Sequence, residues 1–163
     1  MEQQSPPPPP SKWEGEVSAE TPAADPHQIW PLLTDDFCSL HKWLPFVDTC
    51  HYVEGVPGQP GLVRHCAVTV TPSSIKWAKE RLNLIDPIAH TLTYEILDNN
   101  MGFKSYVATM KLLQGSGGGC KFVWSFVADP IEGWPLEEFV KYLDSGLHQM
   151  VNKMADFLKK SPL

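Results

Sequence analysis

No two cysteines of this chain stand in a CxxC spacing and no two histidines form HxxxH. Zinc centres and CxxC redox motifs draw their ligands or thiols from such short spacings, so Cys38, Cys50, Cys66, Cys120 and the six histidines predict no metal. Positive charge is also scarce, with 13 Lys and Arg against 19 Asp and Glu and a formal net charge of −6. That balance, without a Lys/Arg cluster, argues against a reader of nucleic-acid phosphates and against an anionic membrane surface. Long hydrophobic runs are missing as well, so neither a signal peptide nor a membrane span is expected. The expectation is a cytoplasmic protein with reduced thiols and with small molecules or proteins as partners.

What is present is an ordinary globular composition, 42% hydrophobic and 20% charged over 163 residues, enough for one domain with a sizeable core. Proline is concentrated at the start. The run Pro6 to Pro10 can form extended polyproline II but cannot join a helix or sheet, so residues 1–11 are expected to be a disordered proline-rich tail and residues 12–160 the domain. A first strand is expected over 13–20. Asp25-Pro26 then supplies an N-cap and a first-turn proline for a helix carrying Ile29, Trp30, Leu32 and Leu33. A second short helix is expected over 36–42, a strand over 48–54, and a turn or mobile loop from Gly55 to Gly61. At the other end Phe139, Leu143, Leu147, Met150, Met154 and Phe157 recur at spacings of three and four after Pro135, which predicts a long amphipathic helix. Gly146 lies on or beside that stripe, leaving room for a ligand or for close contact with the sheet.

Between these ends, residues 62–128 alternate with the period of strands, and parity decides which side chains share a face. Phe122, Trp124, Phe126 and Ala128 form one row, and Leu92, Tyr94 and Ile96 another. Tyr106 shares parity with Ala108, Met110 and Leu112 in a strand expected over 103–113. Glu80 runs with Ala78, Leu82 and Leu84, and Arg64 with Cys66 and Val68, so two opposite charges face each other across an apolar interior. The order strand, two short helices, six strands, long helix gives an α+β protein. A curved antiparallel seven-stranded sheet wraps around the last helix and encloses a cavity. An ion pair of this kind is needed by any buried charges, catalytic or not, and aromatic rows are ordinary in buried strands.

The segments GLVRH at 61–65, WAKERL at 77–82, GFKSYVATM at 102–110 and VWSF at 123–126, with the terminal helix, resemble plant lachrymatory-factor synthase-like proteins. These are a branch of the helix-grip, or START-like, superfamily that also holds birch-pollen-allergen (Bet v 1-like) proteins, abscisic-acid receptors and polyketide cyclase-like proteins. The resemblance implies catalytic roles for Arg64, Glu80 and Tyr106. It also implies cofactor-free rearrangement of a small alkenyl sulfenic acid to a thial S-oxide, supplied by a sulfenic-acid-generating lyase. Tyr94, Trp124, Phe126, Leu82 and Leu147 are the expected substrate-binding wall. Desolvation and a nearby guanidinium act in opposite directions on a carboxylate's proton, a balance suited to proton shuttling. Arg64 and Tyr106 would donate to a developing negative oxygen while the aromatic walls exclude water.

The chain departs from that pattern at His65 and Cys66, at Thr71-Pro72-Ser73-Ser74 and at Phe103, which stands where the onion enzyme has a second tyrosine. The abscisic-acid receptor gate and latch are replaced by Val70-Thr71-Pro72-Ser73 and Met101-Gly102-Phe103, and Asp48 falls near the place of the receptors' ligand-binding lysine. Hormone reception is disfavoured on those grounds. The alternative function is a non-catalytic carrier or receptor for an apolar plant metabolite, since an apolar pocket with few polar anchors serves binding equally well.

Overall fold

The computed structural model describes residues 12–160; the oligoproline run and its expected disorder lie outside the described residues. Seven strands, β1 (Trp13–Thr21), β2 (Thr49–Glu54), β3 (Val63–Thr71), β4 (Ser74–Asp86), β5 (Thr91–Asn99), β6 (Tyr106–Gln114) and β7 (Cys120–Ala128), form one antiparallel sheet in the order β1-β7-β6-β5-β4-β3-β2. From the edge strand β1 the chain crosses to the far edge at β2 and returns strand by strand until β7 pairs with β1. That crossing is made by α1 (Pro26–Asp35) and the 3₁₀ segment Phe37–Lys42. Asp25 caps α1 in a reciprocal capping box with Gln28, each side chain accepting the other's backbone N–H at 3.0 Å. The seven-stranded helix-grip architecture expected from the sequence is the one observed.

The long helix α2 (Leu136–Lys160) lies across the concave face of the sheet. Its buried stripe includes Phe139, Leu143, Leu147, Met150, Val151 and Met154, spaced as a helix needs. Glu137 and Glu138 in the first turn, with Lys159 and Lys160 in the last, complement its dipole. Phe157 does not finish the stripe: it is half exposed, with only its ring edge against Trp43. Gly146 is buried because Phe46 and Leu44, from the segment before β2, press against its backbone. A Cβ at 146 would collide with the Phe46 ring, so the glycine serves a loop contact rather than the sheet.

Two further differences from the sequence reading have local causes. β6 starts at Tyr106, not at residue 103, because Gly102 has a positive φ of 94° and the Asn99 side chain ties the backbone N–H groups of Met101 and Phe103 into a turn. In β4 the alternation Ala78, Glu80, Leu82 holds, but a register shift between Leu82 and Leu84 turns Leu84 outward and brings Ile85 against the core. Among the described residues no helix is long and apolar enough to cross a membrane.

Candidate functional site

Arg64 and Glu80 meet because two patterns coincide. Each occupies an inward position of its own strand, and the β3–β4 register sets them directly opposite each other. Arg64 Nε donates to Glu80 Oε1 at 2.8 Å, and the two residues are 4% and 9% exposed. The rest of the guanidinium is held by parts that no strand parity announces. Nη1 donates to the Phe37 carbonyl at 3.0 Å, and Cζ stands 4.0 Å from the centre of the Phe37 ring and 4.8 Å from that of Tyr94. Burial is the largest single influence and works against the Arg64 charge, but the facing Glu80 carboxylate, together with Cys66, Tyr94 and Cys50, outweighs it and holds the guanidinium above its ordinary proton affinity. The side chain is a fixed cation.

Tyr94 reaches this centre from β5. Its hydroxyl accepts the Trp124 Nε1–H at 3.1 Å, which leaves the phenolic proton for donation. Burial, then the Glu80 charge, raises Tyr94 above an ordinary tyrosine, so it stays a neutral donor. Tyr106 is equally buried. Its ring stacks on Phe126 at 5.7 Å and meets Phe139 and Phe103 edge-on. Burial first, and Tyr94 and Glu80 after it, hold its proton well above the usual range. Thus both phenols share the electrostatic neighbourhood of the ion pair, and Tyr94 is the one whose ring lies against the guanidinium.

These groups line a cavity of about 120 Å³ between the sheet and α2. Of the wall expected from the sequence, Tyr94 and Trp124 line it together with Arg64, Glu80 and Tyr106. Leu82, Leu147 and Phe126 are buried off the lining, in the core behind it. Phe126 is covered by the rings of Tyr106 and Phe139, and α2 presents Leu143 and Met150 to the cavity in place of Leu147. Phe37, Phe103 and Cys66 complete the surroundings of the polar end and its approach. Of these, Phe37 gave no usable signal in the sequence, because a residue of a 3₁₀ segment has neither strand nor helix periodicity. No group of three or more His, Cys, Asp or Glu among the described residues is arranged to hold a metal.

Comparison with known proteins agrees with this architecture. The crystal structure of Ara h 8.0201 superposes with a TM-score of 0.70 over 93% of this chain and 100% of that one, at 19% sequence identity. So low an identity shows a shared fold and leaves the chemistry of the cavity open. The model of the family described as polyketide cyclase / dehydrase and lipid transport matches residues 12–158, which leaves only the last two described residues of α2 outside it. The chain therefore belongs to the polyketide cyclase / dehydrase and lipid transport family.

Proposed function

We propose that the protein is a cofactor-independent enzyme of the lachrymatory-factor synthase type, which relocates a proton within a small alkenyl sulfenic acid to give a thial S-oxide. The observation that carries this reading is a fully formed Arg64–Glu80 pair at the wall of a cavity of only about 120 Å³. An apolar cavity of roughly 150 Å³ accommodates a molecule the size of benzene. A three-carbon sulfenic acid is of that scale, whereas drug-sized metabolites fill roughly 300–1,000 Å³.

In this reading Glu80 takes the sulfenic O–H proton on Oε2, the oxygen not engaged by Arg64 Nε. The oxygen's charge is delocalised through sulfur into the alkene, the C–S bond becomes double, and the carbon once removed from sulfur receives a proton from Glu80. One O–H bond is exchanged for one C–H bond, with no atom gained or lost. Arg64 and the phenols of Tyr94 and Tyr106 supply positive charge and donors to the oxygen as its charge develops. The ring of Trp124 and the apolar side chains keep water from the intermediate.

A second reading, a carrier for an apolar metabolite, draws support from the lipid-transport part of the family description and from the apolar lining away from the ion pair. The deciding experiment generates 1-propenesulfenic acid with an alliinase and follows thial S-oxide formation with wild type, Glu80→Gln and Arg64→Leu. Turnover by wild type that collapses in both variants while each remains folded is the expected result. Absence of wild-type turnover would refute this reaction, and ligand binding unchanged in Glu80→Gln would then favour the carrier.

A further inference from the structure

Cys50 and Cys66, sixteen positions apart, are brought side by side by the β2–β3 register, in which they are direct partners. Opposed residues of an antiparallel pair have Cα atoms about 4.5–5.5 Å apart. That is within the range a disulfide spans. Their sulfurs are 3.1 Å apart, and both side chains are buried. Cys66 lines the cavity, and its Sγ is 3.9 Å from Glu80 Oε1. The proposed proton relocation uses neither sulfur.

We propose that Cys50 and Cys66, the second of which borders the cavity, form a two-electron redox site, oxidised to an intramolecular disulfide by a small hydroperoxide that enters the cavity. In the first step one sulfur attacks the peroxide oxygen; the O–O bond breaks, that sulfur becomes a sulfenic acid, and the leaving oxygen departs as water or an alcohol. In the second, the partner sulfur attacks the sulfenic sulfur, the S–S bond forms as the S–O bond breaks, and the oxygen leaves as water. Two thiols lose two protons and two electrons to one peroxide.

The surroundings distinguish the two sulfurs. Cys66 donates its S–H to Cys50, and this hydrogen bond, opposed by burial and helped by the Arg64 charge, lowers Cys50 to about 7. Cys66, as the donor and as a buried group, is raised. Cys50 is thus the more acidic of the two and Cys66 the one that borders the cavity, so whichever sulfur takes the oxygen has its partner in contact to resolve it. Closing the gap from 3.1 Å to the roughly 2.0 Å of a disulfide asks for about 1 Å of movement between two side chains. Cys38 and Cys120 are raised by burial, Cys120 to about 12, and make poorer first nucleophiles.

Trypsin separates all four cysteines, with Cys50 in residues 43–64 and Cys66 in residues 65–76. The full chain, reduced and freed of reductant, is treated with hydrogen peroxide, alkylated in denaturant and digested. Free thiols are expected to fall from four to two, with 43–64 joined to 65–76 in protein that runs as a monomer on a nonreducing gel. Dithiothreitol should restore all four thiols. Cys38→Ser and Cys120→Ser should still form the bond. Cys50→Ser should not, and the mapping of wild type stands whether or not that variant folds. The proposal is overturned if all four thiols survive peroxide, if the link includes Cys38 or Cys120, if the joined peptides come only from a dimer, or if a single cysteine advances to a sulfinic acid.

Discussion

Strand β4 carries two Arg–carboxylate pairs at successive positions, and they differ in almost nothing except the face they occupy. Glu80 points inward and accepts from Arg64 of β3, with the two side chains 5% and 12% exposed. Arg81, the next residue, points outward and pairs with Glu95 of β5, with the side chains 43% and 29% exposed. Outside, water solvates both partners whether or not they meet, so the pair adds little to stability. Inside, each charge has lost its hydration, and the attraction repays that loss only where geometry and further hydrogen bonds are good. Arg64 has such support, from the Phe37 carbonyl and two aromatic faces. Apolar side chains could serve stability as well at the inner site, so the proposed function gives the inner charges a use that stability does not require, and the neighbouring outer pair is the control for it.

The sharpest way to break the comparison is by chemistry. If the inner pair is the proton-transfer centre, Glu80→Gln, which keeps the shape and removes the exchangeable charge, is expected to lower turnover of the sulfenic acid by about 10²–10⁴-fold. Glu95→Gln, the matching change on the outer pair, is expected to leave the rate within a factor of about two, since a surface carboxylate on the far face reaches no substrate. Equal losses in the two variants, measured by steady-state kinetics with circular dichroism as the check on folding, would remove the functional distinction between the faces.

Stability sharpens the same contrast. Arg64→Met leaves Glu80 buried without its partner and is expected to cost about 3–5 kcal/mol in urea unfolding, the range for breaking a buried pair from one side. The double variant Arg64→Met, Glu80→Leu should recover most of that loss, because it removes the second stranded charge. A double variant no more stable than the single would show that the ion pair itself holds β3 to β4. Gly146→Ala probes the same side of the sheet without charge. The new methyl meets the Phe46 ring, and overpacking of about 1–3 kcal/mol is expected to exceed the gain of about 1 kcal/mol in helix propensity.

The inner face was legible in the sequence to the extent that strand parity reports it. The rows of β5 and β7, the inward direction of Arg64 and Glu80 and the stripe of α2 all follow from periods of two and 3.6, and the fold follows from their order; that the two charges are side by side on adjacent strands rather than facing across the interior is set by the β3–β4 register. What parity does not encode is where it breaks. The bulge that turns Leu84 outward, the Asn99 turn that delays β6 until Tyr106, and the Phe46 ring seated on Gly146 depend on tertiary contacts. Phe37 belongs to a 3₁₀ segment, and the meeting of Cys50 with Cys66 depends on a register set by strands whose connecting loop does not announce it. Depth was also hidden: Leu82, Leu147 and Phe126 share the inward faces with Tyr94 and Trp124, yet only the latter two border the cavity.

The smallest expected effect belongs to the outer pair, and it is the one that gives the inner pair its scale. Arg81 has a second acceptor, Asn83 Oδ1 at 3.0 Å from Nε, so removal of Glu95 leaves the guanidinium both solvated and hydrogen-bonded. A double-mutant cycle through Arg81→Ala and Glu95→Ala is therefore expected to give a coupling of about 0.2–1 kcal/mol that shrinks as salt is added. The corresponding cycle through Arg64→Met and Glu80→Leu should give a larger coupling that salt scarcely changes, since ions do not reach a buried pair. If the outer coupling equals the inner one, or resists salt to the same degree, then exposure is not what separates the two pairs, and the case for a dedicated charge at Glu80 loses its internal control.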